Sequence, residues 1–188
     1  SRVVLGLACH YHDSATCLMV DGEVIAAAQE ERFNRDKHCS DFPVRAINYC
    51  VDAGDLTFDD LDHVVFYEKP YLKLSRVVVD HLRSFPFSLR NFLEGMPDWL
   101  GDRLAIPLVL RKELEYEGST LFLKHHLSHA ASSFLMSPFE EAAILTADGV
   151  GEWACLTLGV GRGNSIEVIE EQHYPNSVGL LYTALTTF

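Results

Sequence analysis

One order of apolar runs and polar loops occurs twice in this chain, and it restricts the available folds more than any other feature. Residues 3–9, VVLGLAC, form a continuous apolar run of the length of a buried strand. The polar stretch HYHDS follows, and ATCLMVDGEVIAAAQEE then reads as two strands joined at Asp21-Gly22, a dipeptide suited to a two-residue hairpin turn. The spacing next predicts a helix in FPVRAINYCVDAG, with Ala46, Ile47, Tyr49, Cys50 and Ala53 on its apolar face and Gly54 as its stop. After Pro138 the same order returns. An apolar strand (143–147), an Asp-Gly loop, a second strand (153–160), the turn GRGN and a third strand (165–172) lead to SVGLLYTALTTF, a helix that Ser177 would cap. The letters of the two copies differ, so it is the pattern that repeats.

Such a duplication points to an α/β fold of the actin-like or sugar-kinase-like (ribonuclease H-like) kind, with a mixed sheet and flanking helices. In that fold each lobe offers its first polar hairpin loop to the phosphates of a nucleotide. Successive backbone N–H groups make an anion nest there, and glycine lets the chain come close. The two loops would be 10–14 and 148–152. The expected lobes are 1–140 and 141–188, the second stopping just after its first helix and therefore incomplete. LDHVVFYE and STLFLK (119–124) read as a fourth and a fifth strand. Between 71 and 117 the pattern is helical but broken by Pro86, Pro97 and Pro107. That stretch is expected to be an insertion packed on the first lobe, with a lid over a site as the alternative.

Composition narrows the partners. Fifteen basic residues stand against 27 acidic ones, a net charge of −12, so phosphate backbones and anionic membranes are repelled overall. Neither nucleic acid nor membrane is an expected partner, and a small phosphate compound in a local basic pocket is not excluded. Five cysteines, an odd number without CxxC spacing, suggest reduced thiols in a cytoplasmic protein, with Cys9 and Cys17 in the core. No apolar run approaches the roughly 20 residues of a membrane span, and the first residues lack a signal-peptide pattern.

Three stretches carry residues of chemical interest. In LKHHLSHAASSF, 123–134, a helix starting near His125 places His125 and His129 one turn apart on one face, with His126 pointing elsewhere. Paired imidazoles at that spacing suit a divalent transition metal, and Asp148 at the end of the sixth strand would add a carboxylate. Histidines that cap a helix or hydrogen-bond across a lobe boundary are the equal alternative. In YHDS, His12 and Asp13 form a candidate catalytic pair, since an imidazole titrates near neutrality, although a loop satisfied by its own Asp and Ser is the commoner outcome. In EERFNRDKH, Arg32, Lys37 and His38 are candidates for holding an anionic substrate, although a charge run is usually a solvated edge.

Taken together, YHDSATCLMVDGEVIAAAQEERFNRDKH, HHLSHAASSF with SPFEEAAILTADGVGEW, and YPNSVGLLYTALT closely resemble the N-terminal domain of the O-carbamoyltransferases. That family includes nodulation-factor and antibiotic carbamoyltransferases, and the resemblance spans nearly all of the chain outside 71–117. It implies an actin-like domain related to the tRNA threonylcarbamoyl-modification protein, followed by a C-terminal domain that activates the carbamoyl group. It also implies ATP and carbamoyl phosphate as co-substrates, a carbamoyl-adenylate intermediate and a hydroxyl acceptor on a sugar or natural product. His125, His129 and Asp148 match the family's iron-binding positions, and a further aspartate ligand lies beyond residue 188 in such proteins. Gly149, Val150, Gly151 and Glu152 match a segment lining the nucleotide cleft, and His12 matches a histidine near the transfer site. One departure is KHCSDFP, where the family more often has an aspartate and a proline directly after KH. A chain ending at 188 is expected to be inactive alone, and a homodimer is compatible with the pattern. A sugar-kinase-type phosphoryl transferase and a non-catalytic nucleotide-binding module are the rival expectations.

Overall fold

The computed structural model describes residues 1–11, 13–98, 101 and 103–187. Strands β1 (Val3–Ala8), β2 (Ala15–Val20) and β3 (Glu23–Gln29) form an antiparallel meander. Asp21 and Gly22 join the last two with φ of 52° and 90°, the pair of positive values that a tight primed turn requires. Helices α1 (Glu31–Asn34) and α2 (Val44–Ala53) follow, then a 3-10 turn, Phe58–Asp60, and strand β4 (His63–Phe66). After α3 (Pro70–Arg83), α4 (Leu89–Asp98) and α5 (Ile106–Leu114) the chain enters β5 (Ser119–Phe122). β4 lies parallel to β1 and β5 parallel to β4, so the five-stranded mixed sheet has the order β3-β2-β1-β4-β5. The remainder is α6 (His125–Phe134), an antiparallel sheet of β6 (Glu141–Ala147), β7 (Ala154–Arg162) and β8 (Ser165–His173), and α7 (Val178–Thr186).

The chain divides into two compact units. The first comprises Ser1–Tyr67 and Gly95–Phe122. Its core is continuous and apolar, with Leu5, Leu18, Ile47, Val64, Ile106 and Leu110 all at 0% exposure. Burying each such side chain stabilises the fold by about 1.5–3 kcal/mol. α2 turns Ala46, Ile47, Cys50 and Val51 inward. Tyr49 and Ala53, expected on the same face, are exposed instead, because the buried stripe runs through adjacent pairs one turn apart, and Tyr49 packs on Phe33 at 5.5 Å. Pro43, before α2, offers no capping side chain, and the buried Glu30 supplies one by accepting from the Ala46 N–H at 2.8 Å.

The second unit comprises Glu68–Glu94 and Leu123–Phe188. Its apolar cluster is small: Ala130 and Phe134 of α6 against Ile144 of β6, with Ala142 and Ile166 at the margin. Gly161 lies flat beneath the Phe134 ring, where a Cβ would come within 2.5 Å of ring carbons. These contacts draw the boundary differently from the expected 140/141. α6, expected in the first lobe, packs on the second sheet through Ala130 and Phe134. The 71–117 stretch is also divided, with α3 in the second unit and α5 contributing Ile106, Leu110 and Leu114 to the first core.

All five cysteines are free thiols. Cys9 is buried and Cys17 half-buried, and desolvation pushes Cys50 up to about 11, with the neighbouring Cys17 adding to it. No helix among the described residues is long and apolar enough to cross a membrane.

Candidate metal centre

Helix α6 begins at His125, and its N-cap, Lys124, has no side-chain oxygen to satisfy the first orphan N–H groups. The Glu152 carboxylate takes that place, accepting from the His125 N–H and, at 2.5 Å, from the N–H of Lys69, the N-cap of α3. One buried carboxylate thus anchors the starts of two helices. Burial pushes its acidity toward the neutral form, against the hydrogen bonds it accepts.

With the helix start fixed, His125 and His129 share one face and point at the same carboxylate. His125 Nε2 lies 2.7 Å from Asp148 Oδ2, His129 Nε2 lies 3.0 Å from His125 Nε2, and His129 Nε2 is 3.7 Å from Asp148 Oδ2. Asp148 follows β6, where its N–H continues the ladder to Cys155 O at 2.9 Å and its Oδ1 accepts from Gly149 N–H at 2.6 Å. The hydrogen bond from His125, and after it the neighbouring His129 ring, hold this carboxyl far below the usual carboxylate range. The group is anionic at any physiological pH.

Two imidazole nitrogens and an anionic oxygen with mutual spacings of 2.7–3.7 Å fit a divalent transition ion. Metal bonds of about 2.0–2.2 Å place neighbouring ligand atoms at about 3 Å, and nitrogen with carboxylate is the donor set that zinc and iron(II) take. The cluster opens toward solvent on one side, with the His125 side chain 12% exposed and that of His129 51%. His126 turns the other way. Its Nε2 lies 2.9 Å from Ala154 O and its Nδ1 2.6 Å from Thr146 Oγ1, which is 2.7 Å from Thr157 Oγ1. A carbonyl only accepts, so Nε2 carries the proton and Nδ1 accepts from Thr146. Burial pushes the His126 pKa below the usual imidazole value, in keeping with this neutral ring.

The loop expected to cradle a nucleotide is shaped by these histidines. A Cβ on Gly151 would stand 3.0 Å from His125 Cδ2 and 3.2 Å from His126 Cδ2. Gly149 N–H is engaged by Asp148 and Gly151 N–H by Ala154 O at 3.1 Å. Val150 is half-buried, and Glu152 is turned inward onto the helix starts.

The first loop assembles a different group. Asp13 Oδ1 lies 3.0 Å from His38 Nδ1, and the His38 N–H donates to Glu31 Oε2 at 3.1 Å. Asp13 and His38 both have positive φ, 51° and 59°. Arg32 reaches Gln29 at 3.5 Å and Glu31 at 3.7 Å, and Lys37 is exposed. His12, the expected base, lies outside the described residues.

One member of the second-unit site, Glu68, is not singled out by the sequence. Glu68 is buried, bonded to Lys73 Nζ at 2.8 Å, and its Oε2 is 3.7 Å from His125 Nδ1. It lies where a carboxylate behind a metal-binding histidine is ordinarily found. The nearest sequence signal is Glu68 and Lys73 flanking Pro70, the N1 residue of α3, and it does not point to a histidine 57 residues on.

Comparison with known proteins follows the same stretches. The family model described as Carbamoyltransferase N-terminus matches residues 3–188. Uncharacterized protein sll1178 of Synechocystis is 45% identical over 98% of this chain and 31% of its own length. Nodulation protein NolNO of Sinorhizobium fredii is 36% identical over 91% of this chain and 24% of its own. The chain thus spans 31% and 24% of the lengths of these two relatives. Among solved structures, an uncharacterized protein from Pseudomonas aeruginosa with similarity to peptidase YeaZ aligns over 91% of this chain and 65% of its own, with a TM-score of 0.50 and 12% identity. That likeness is one of fold, the actin-like α/β arrangement of mixed sheet and flanking helices that the repeated pattern predicts.

Proposed function

The chain belongs to the carbamoyltransferase family, as its N-terminal part, and on that footing we propose that the whole protein transfers a carbamoyl group to a hydroxyl. The donor is carbamoyl phosphate, activated with ATP as a carbamoyl adenylate, and the acceptor is a sugar-containing or natural-product alcohol. His125, His129 and Asp148 hold a divalent transition ion, iron(II) in the first instance. When bound, the ion supplies positive charge to phosphate or carbonyl oxygens, where negative charge accumulates during transfer.

The chain's own residues do the rest. Asp148 stays ionised and keeps both imidazoles aimed at one point, while Glu152 fixes the start of the helix that carries them. Gly151 lets the loop lie against the histidine rings. His12 takes the acceptor's proton, and Asp13, with His38, holds the neighbouring loop in a fixed conformation. The observation that carries this reading is the meeting of two histidines one turn apart with the carboxylate that ends β6.

The test is an assay of the full-length protein with ATP, carbamoyl phosphate and a panel of sugar alcohols, with mass spectrometry of the product. Carbamoylated acceptor is expected only when both co-substrates are present, and Asp148→Asn is expected to lower turnover by at least about 100-fold, the upper loss seen for groups one shell further out. Phosphorylated acceptor, formed without carbamoyl phosphate, would replace this reading with that of a kinase.

A further inference from the structure

The stretch Asn176-Ser177-Val178-Gly179 has no part in the chemistry above, yet its backbone and hydroxyl meet the loop that presents Asp148. Ser177 Oγ accepts from Leu180 N–H at 3.0 Å, as an N-cap does. Its single hydrogen is directed at Gly149 O, 2.5 Å away, with Asp148 O at 3.2 Å. Gly179 sits against the same peptide unit. A Cβ there would collide with the Asp148 carbonyl oxygen, and would stand 2.6 Å from the Asp148 carbonyl carbon and 2.8 Å from Gly149 N. All three are backbone atoms in a loop with strands at both ends, so none can swing aside.

Apolar packing does not explain this close approach. α7 has no buried residue, and Leu181, Tyr182 and Leu185 are 58%, 71% and 69% exposed. In its first turn the hydrogen bonds of Ser177 stand beside Leu180 Cδ2, which would lie 3.7 Å from a Cβ on Gly149. The turn leading into it is pinned in its own right, with Tyr174 N–H on Trp153 O at 2.9 Å and Ser177 N–H on Pro175 O at 2.8 Å. β7, β8, the turn and Ser177 thus form a continuous support that ends on the backbone of the Asp148 loop.

We propose that Ser177 and Gly179 are positioning residues for Asp148. The serine hydroxyl and the missing side chain at 179 hold the 148–149 peptide where Asp148 Oδ2 faces both imidazoles. This rests on the reading of His125, His129 and Asp148 as metal ligands.

The test compares full-length wild type with Ser177→Ala, Ser177→Thr, Gly179→Ala and Asp148→Ala. Two measurements are made: cobalt(II) titration followed by its visible absorption, and amide hydrogen exchange over residues 147–155. Ser177→Ala and Gly179→Ala should weaken cobalt binding about 10- to 100-fold, the loss typical of removing a ligand's support. They should also shift the visible band and speed exchange across the loop, while Ser177→Thr, which keeps the hydroxyl, restores both. If Gly179→Ala does not fold, the alanine and threonine pair at 177 decides. Cobalt affinity and exchange in Ser177→Ala equal to wild type would overturn the proposal. If Asp148→Ala binds cobalt as wild type does, the metal reading fails, and the support is then judged on exchange alone: unchanged exchange in Ser177→Ala overturns it, faster exchange sustains it.

Discussion

Leu5 of β1 and Leu18 of β2 share a core with Ile47 and Val64, all without exposure, and with Phe66 at 1%, whereas Ile144 of β6 meets only Ala130 and Phe134 as buried apolar partners among the described residues, beside the buried polar set His126, Thr146 and Thr157. The two meanders share a strand plan and differ in what holds it. The first is a hydrophobic core in the ordinary sense, with one buried glutamate, Glu30, capping α2. The second relies on a chain of hydrogen bonds through His126 and on Glu152 at two helix starts. A scaffold can therefore be duplicated while its interior is given over to polar groups, and the polar copy is the one in which two histidines one turn apart converge on a carboxylate.

The largest effect that tests this contrast is loss of core volume. Phe66→Ala should cost about 3–5 kcal/mol and Ile144→Ala about 2 kcal/mol, the low end for such truncations, because Ile144 has few apolar neighbours. Urea unfolding of the two variants measures the difference, and an equal or reversed order would break the contrast. Polar deletions should rank the other way. Thr146→Val removes the only hydroxyl reaching His126 Nδ1 among the described residues, leaving a buried ring nitrogen unsatisfied at a cost of about 1–3 kcal/mol. Thr16→Val, which loses one bond to the Gly6 carbonyl, should cost about 1 kcal/mol.

A smaller effect concerns pH. Burial raises the folded-state value for Glu152, so its contribution to stability is complete below the ordinary value of 4.5 and is lost as pH rises through the folded value. Glu171 is depressed, by the His173 hydrogen bond first and then by Lys124, so its contribution is present above 4.5 and is lost as pH falls through the folded value. Urea midpoints measured from pH 4 upward should show Glu152→Gln and Glu171→Gln departing from wild type with opposite pH trends. Parallel trends would remove the distinction between the inward and the surface carboxylate.

What was legible in the sequence was local. Asp21-Gly22 announced its turn, Ser177 its cap, and the spacing of His125 and His129 their common face, because each depends on neighbours within one helical turn or one hairpin. Asp148 was legible as the end of an apolar run. Partnerships set by the fold were not. Glu30 on α2, Glu68 behind His125 and Glu152 on two helix starts join residues 16, 57 and 83 positions apart, where no periodicity reports on contact. The assignment of α6 to the first lobe failed for the same reason. Chain order suggested a neighbour, and the fit of Phe134 over Gly161 chose another. Proline breaks in 71–117 likewise masked the Ile106, Leu110 and Leu114 stripe that completes the first core.

The most direct test of the central claim sets the two loops against each other. Elemental analysis of the full-length protein, purified anaerobically with iron(II), should find one transition ion per chain in wild type. The same value is expected in Asp13→Ala, whose carboxylate already bonds His38, and a loss to near zero in His129→Ala. A full complement of metal in His129→Ala, or its disappearance in Asp13→Ala, would contradict the account.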